Sequence, residues 1–152
     1  MSAHWLCAKR LTEILRSAPE LSGAKVLAYP PGDKDRDNEY VFVSDIEGGF
    51  VDGPSAPGRL ILDDEFTINL VVQTKRATAE LAMDRLAELC QAVAFKIRDS
   101  GNLDAYSTGD FTVSEARPGT YTFSSRFDPE VGQWALATLG VDVEVRHYGG
   151  NP

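Results

Sequence analysis

Three groups of residues have the types and spacing to do chemistry. The first is Asp33, Asp35 and Asp37, in a run of alternating charge. Alternate acids open a calcium-binding loop, in which oxygen ligands wrap a hard cation. The pattern then breaks. Its sixth position is Asn38, where the turn requires glycine, and its twelfth is Ser44, where a glutamate should close the shell. These residues read as a solvated loop. The second group is Asp63, Asp64 and Glu65. Neighbouring residues of a strand point to opposite faces, so at most two of the three converge on a metal. A turn or solvated edge suits them better. The third group is Cys7, Cys90, His4 and His147. His4 and Cys7 form a helical i, i+3 pair, but two ligands do not make a site, and His147 has no Cys or His at metal-ligand spacing. Both cysteines fall in helical patterns and read as packed, reduced thiols.

No nucleophile elbow, phosphate-binding loop or dinucleotide fingerprint occurs. No metal and no cofactor is expected, and nothing points to an enzyme.

The elements that would position these residues follow from periodicity. Residues 3–17 read as an amphipathic helix with Trp5, Leu6, Leu11, Ile14 and Leu15 on its apolar stripe, stopped by Pro19. Lys25 to Tyr29 is a short strand. A polar loop over 30–39 precedes a strand over Glu39 to Asp45, and a second long loop is expected over 46–58, which is rich in glycine and proline. Arg59 to Lys75 is one bent strand or a strand pair, broken at the acids 63–65. After them Phe66, Ile68, Leu70 and Val72 alternate with Thr67, Asn69, Val71 and Gln73. Thr78 is an N-cap for a helix running to about Asp99, with Leu81, Ala82, Leu86, Leu89, Val93 and Ile97 on its stripe and Ser100-Gly101 as its stop. Strands over 111–117 and 120–128 flank a tight turn at Pro118-Gly119. A last strand, Gln133 to Tyr148, changes parity near Gly140, as a bulge would make it do. The order helix, strands, long helix, strands predicts an α+β fold: a mostly antiparallel sheet with two helices packed on one face. Residues 1–148 form one domain and 149–152 a tail expected to fray.

The 152 residues include 23 acids against 15 Lys and Arg, a formal charge of −8. That balance argues against coating of nucleic acid, which needs a cationic surplus. No apolar run approaches the roughly 20 residues of a membrane span.

The succession of elements resembles the tail terminator (tail completion, or tail-to-head joining) proteins of long-tailed bacteriophages. Four stretches carry the resemblance. They are the helix His4 to Ser17 leading to Tyr29-Pro30, the strand Tyr40-Val41-Phe42-Val43, the block Glu65 to Val72 running into Thr78-Ala79-Glu80-Leu81-Ala82, and the closing strand Trp134 to Val143. The resemblance implies a virion structural protein: a homo-oligomeric ring, hexameric on the tail, that caps the tail tube, ends its polymerisation and joins it to the head. Its implied partners are the major tail tube protein and the head-tail connector protein. Double-stranded DNA would pass through without specific binding, and no membrane is involved. The implied location is the virion neck, after synthesis in the host bacterial cytoplasm. No functional residue carries over from the family. The alternatives are a head-completion or connector-ring neck protein, and a small cytoplasmic ligand-binding domain with convergent polar groups in a pocket. Six copies at −8 each would carry −48, and a channel of that sign repels phosphate. The candidate lumen or axial-interface acids are Asp33, Asp35, Asp37, Asp63, Asp64 and Glu65.

Overall fold

The computed structural model describes residues 2–32, 37–52, 61–128 and 132–148. Asp33, Asp35 and the tail 149–152 lie outside the described residues. The elements are α1 (Ala3–Arg16), a short 3-10 turn (Pro19–Leu21), β1 (Lys25–Leu27), β2 (Glu39–Asp52), β3 (Ile61–Arg76), α2 (Ala79–Ser100), β4 (Phe111–Asp128) and β5 (Gly132–Tyr148). They form the expected α+β architecture. The sheet order is β1-β2-β3-β5-β4, with β1 parallel to β2 and every other pair antiparallel.

Both helices cover the same face. On β3 the even residues Phe66, Ile68, Leu70 and Val72 are buried, and on β5 the odd residues from Ala135 to Val145. They meet Leu11, Ile14 and Leu15 of α1 and Leu86, Leu89, Val93 and Ile97 of α2 in one core. Trp5 and Leu81, expected on the apolar stripes, are instead exposed. The ends of α2 follow local chemistry. Thr78 Oγ1 accepts the Leu81 N–H at 3.2 Å, and Gly101 closes the helix at φ 63°. Beyond it Leu103, Asp104 and Ala105 all take positive φ, 57°, 57° and 58°. This left-handed turn is held by burial of Leu103 and by Asn102 Oδ1, which accepts the Ala105 N–H at 2.8 Å.

Four local expectations are corrected. The loop expected from residue 46 is strand as far as Asp52, paired with β3. Gly48 is needed there, because a Cβ would lie 2.4 Å from the Glu65 carbonyl oxygen and from Phe66 on the neighbouring strand. The acids 63–65 break nothing and sit inside β3. Pro118-Gly119 makes no turn. β4 is one strand with a register shift between Pro118 and Tyr121. An edge strand tolerates a proline, which has no N–H to give, and Gly119 leaves room for the Asp142 carboxylate, 2.8 Å from where a Cβ would sit. Finally, β5 keeps one parity throughout: its pairing with β3 runs unbroken from Gln133 to Tyr148. The small core residues Ala135 and Ala137 are buried on the helix-covered face, while Trp134 and Leu136 occupy the other face.

Candidate functional site: the open face of the sheet

With both helices on one side, the sheet's other side carries no helix among the described residues. Its side chains are the odd residues of β3 and the even residues of β5, with their neighbours on β2 and β4. Three adjacent rungs bring its charges together. Glu47, Thr67, Asp142 and Arg117 share one rung. Gly49, Glu65, Glu144 and Glu115 share the next. Val51, Asp63, Arg146 and Thr112 share the third. Six carboxylates therefore face two arginines. In the middle rung three glutamates stand side by side on adjacent strands, an arrangement that costs stability because like charges directly opposite repel.

Some of this charge is tied down. Arg146 donates to both oxygens of Asp63, at 2.9 and 3.2 Å, and its guanidinium holds the Asp63 carboxyl below its ordinary value. Thr67 Oγ1 donates to Asp142 at 2.8 Å, Asn69 Nδ2 to Glu47 at 3.0 Å, and Arg117 to Glu115 at 3.3 Å. A shallow depression of about 280 Å³ lies between them, lined by Glu47, Glu65, Glu115, Arg117, Asp142 and Glu144. Among the described residues no group of three or more acids, histidines or cysteines is arranged to hold a metal ion. What the surface offers is a field: a broad negative face that disfavours polyanions.

The expected acids separate. Asp63 and Glu65 lie on this open face. Asp37 is exposed on the chain leading into β2, with Lys25 at 3.8 Å. Asp64 points the other way and is only 1% exposed, beneath the N-terminal turns of α1. There it meets both histidines: His4 Nε2 lies 2.6 Å and His147 Nε2 3.5 Å from Asp64 Oδ2. The contacts are short enough for ion pairing but off the line of a hydrogen bond, so Asp64 Oδ2 and His147 Nε2 have no directed partner. Cys7 lies near this carboxylate. Burial, helped by the Asp64 charge, pushes its thiol up to about 12, and burial alone pushes Cys90 to about 11. Both are free thiols. The His4–Asp64–His147 cluster was missed in the sequence because 143 residues separate its ends. Its signal was parity: Asp64 alternates in step with Phe66 and Ile68, and His147 with Val143 and Val145.

The second buried charge, Glu39 at the start of β2, ties the sheet to α2. Arg85 donates to both of its oxygens, at 2.8 and 3.1 Å, Arg76 at 2.7 Å and Thr74 at 3.1 Å. Burial opposes ionisation, but these donors outweigh it and hold the carboxyl below its ordinary 4.5.

Comparison with known proteins is sparse in sequence and informative in shape. No family model matches the chain, and no curated protein matches it. Among solved structures, a chain of the virion of a native gene transfer agent particle superposes with a TM-score of 0.60 at 13% identity. The match covers 97% of this chain and 100% of that one. At that identity the likeness is one of fold. No described helix is long and apolar enough to cross a membrane.

Proposed function

We propose that this chain is a structural protein of a tailed, phage-like virion, and that it serves there as the tail terminator. In this role it assembles as a ring, six copies on the tail, caps the tail tube, stops its growth and presents the surface to which the head's connector attaches. The role is architectural and assigns no reaction. One observation carries the reading: end-to-end likeness of fold to a chain of a gene transfer agent virion. The order of elements, similar to that of tail terminators, narrows it.

The open face supplies the physical fit. Turned toward the axis of a ring, six carboxylates against two arginines per copy give a channel that repels phosphate, so that a duplex slides without being held. The test is deletion of the gene from the parent particle, followed by electron microscopy. Overlong tails without heads are expected. Tails of normal length joined to heads would overturn the reading, and normal-length tails left unjoined would move the assignment to a neck protein on the head side.

A further inference from the structure

Among the described residues the sheet has two unlike free edges, and they complement each other. On one side β1 covers β2 only at Tyr40–Phe42, and among the described residues no strand lies outside β2 from Val43 to Asp52. On the other side the connection after α2 covers the start of β4. Tyr106 O accepts from Val113, Gly101 O from Ala116, and Thr108 donates to Phe111 O. Among the described residues no backbone bond covers β4 from Arg117 to Asp128. The two free stretches have nearly the same length.

They also match in chemistry. The uncovered part of β4 overhangs α2 and shows Tyr121 (66% exposed), Phe123 (38%) and Phe127 (63%). An apolar hollow of about 310 Å³ between Ala87, Cys90, Ala94, Tyr121, Phe123 and Leu139 lies behind them. On the β2 side the exposed aromatic is Phe50 (61%). Phe50 shares a rung with Asp64, and Tyr121 with Leu139, so both rings stand on the helix side of the sheet. Asp45 and Arg126 share rungs with Asn69 and Trp134, which places both on the open side.

We infer that the β4 edge of one copy pairs antiparallel with the β2 edge of the next, setting Phe50 opposite Tyr121, and that this head-to-tail joint builds the ring. The inference rests on the ring reading above and names its interface. The direction follows from the sheet. β2 and β4 run oppositely within one chain, and a rotation about the ring axis preserves each strand's direction along it. In this register Asp45 falls opposite Arg126, an opposite-charge cross-strand pair. Gly48, which has no side chain of its own, falls opposite Phe123.

The axial offset is of the right size. Phe50 is level with Val145 and Tyr121 with Leu139, six rungs apart. At about 3.4 Å per residue this is about 20 Å of slip for every four strands, which span about 19 Å, so the strands tilt by about 45°, the steep end of the range for closed barrels. Six such copies would close about 24 strands into a cylinder about 50 Å across between backbones. Its inner wall is the acidic open face and its outer layer the helices.

Disulfide trapping between single-cysteine variants of the purified full chain tests the joint. The native Cys7 and Cys90 are buried. Phe50→Cys and Tyr121→Cys replace exposed residues, and circular dichroism verifies that each variant folds. Mixed under oxidised glutathione, they should form one covalent heterodimer, about tenfold above any dimer from either variant alone. A chain carrying both substitutions should give a ladder of linked species that ends at a closed ring. Phe50→Cys mixed with Thr122→Cys, which faces the other side of the sheet, should give none. No heterodimer in the first mixture, or an equal homodimer from Tyr121→Cys alone, would overturn the inference. The measurement needs no tail. Cross-linking with normal tails in the deletion strain would leave the joint standing and remove the terminator role, and overlong tails without cross-linking would do the reverse.

Discussion

Glu39→Gln is the substitution whose cost can be worked most closely from the structure. Glu39 is 6% exposed and accepts four hydrogen bonds, three on Oε2 and one on Oε1. Glutamine can keep an oxygen where Oε2 stands. Its amide nitrogen then occupies the Oε1 position, facing the Arg85 guanidinium 3.1 Å away, donor against donor. One charge-assisted bond is lost, about 1.5–3 kcal/mol, and three others weaken as their acceptor loses its charge. Breaking one side of a fully buried pair costs about 3–5 kcal/mol, but Arg76 and Arg85 are about a third exposed and water recovers part of that. The expected loss is about 3 kcal/mol, or a Tm lower by about 6–12 °C for a chain of this size.

The same carboxyl makes the loss depend on pH. It titrates below 4.5 in the folded chain, so the unfolded chain takes up its proton first as pH falls. The stabilisation is complete above the unfolded value and disappears as pH drops through the lower folded one. Urea melts of both chains between pH 7 and pH 3.5 should therefore converge toward the acid end. A double-mutant cycle with Arg85→Met should return a coupling of about 1–3 kcal/mol. A difference below about 1 kcal/mol at pH 7, or one that does not change with pH, would refute the account.

Three further outcomes are expected. Glu144→Gln removes the middle charge of the Glu65–Glu144–Glu115 rung and should raise stability by a few tenths of a kcal/mol in low salt, with the gain fading as salt is added. A loss of stability at every ionic strength would contradict the repulsion. Gly48→Ala must push a Cβ into the Glu65 carbonyl oxygen and Phe66, and a loss of more than about 2 kcal/mol in chemical denaturation is expected. Ala105→Gly relieves a residue at φ 58° and should stabilise by about 1 kcal/mol. An unchanged or lower melting temperature would show that the turn carries no strain there.

The helices and the strand faces were legible wherever the determining physics is local. Thr78 and Gly101 mark the ends of α2 because a hydroxyl cap and a left-handed stop act within one turn. Phe66 to Val72 announce a half-buried strand because burial of one sheet face imposes a period of two. From these the α+β architecture follows. Misreadings gathered where a local signal has a second use. Gly48 and the pair Pro118-Gly119 have turn chemistry, yet the glycines serve close approach between strands, and an edge strand has no need of the proline's missing N–H. Ala135 and Ala137 carry too little apolar weight to reveal that theirs is the buried parity.

By itself, then, the sequence determined a small acidic α+β domain, its two helices, and the alternation that separates the faces of β3. Tertiary structure alone decided that the surplus acids of three rungs gather on the face opposite the helices, that His4 and His147 converge on Asp64, and that among the described residues β2 and β4 end as unlike open edges. Each of these depends on strand order and register. Pairing energy couples residues such as Glu65 and Glu144 that lie far apart along the chain, and a slip of one residue would turn every one of those side chains to the other face.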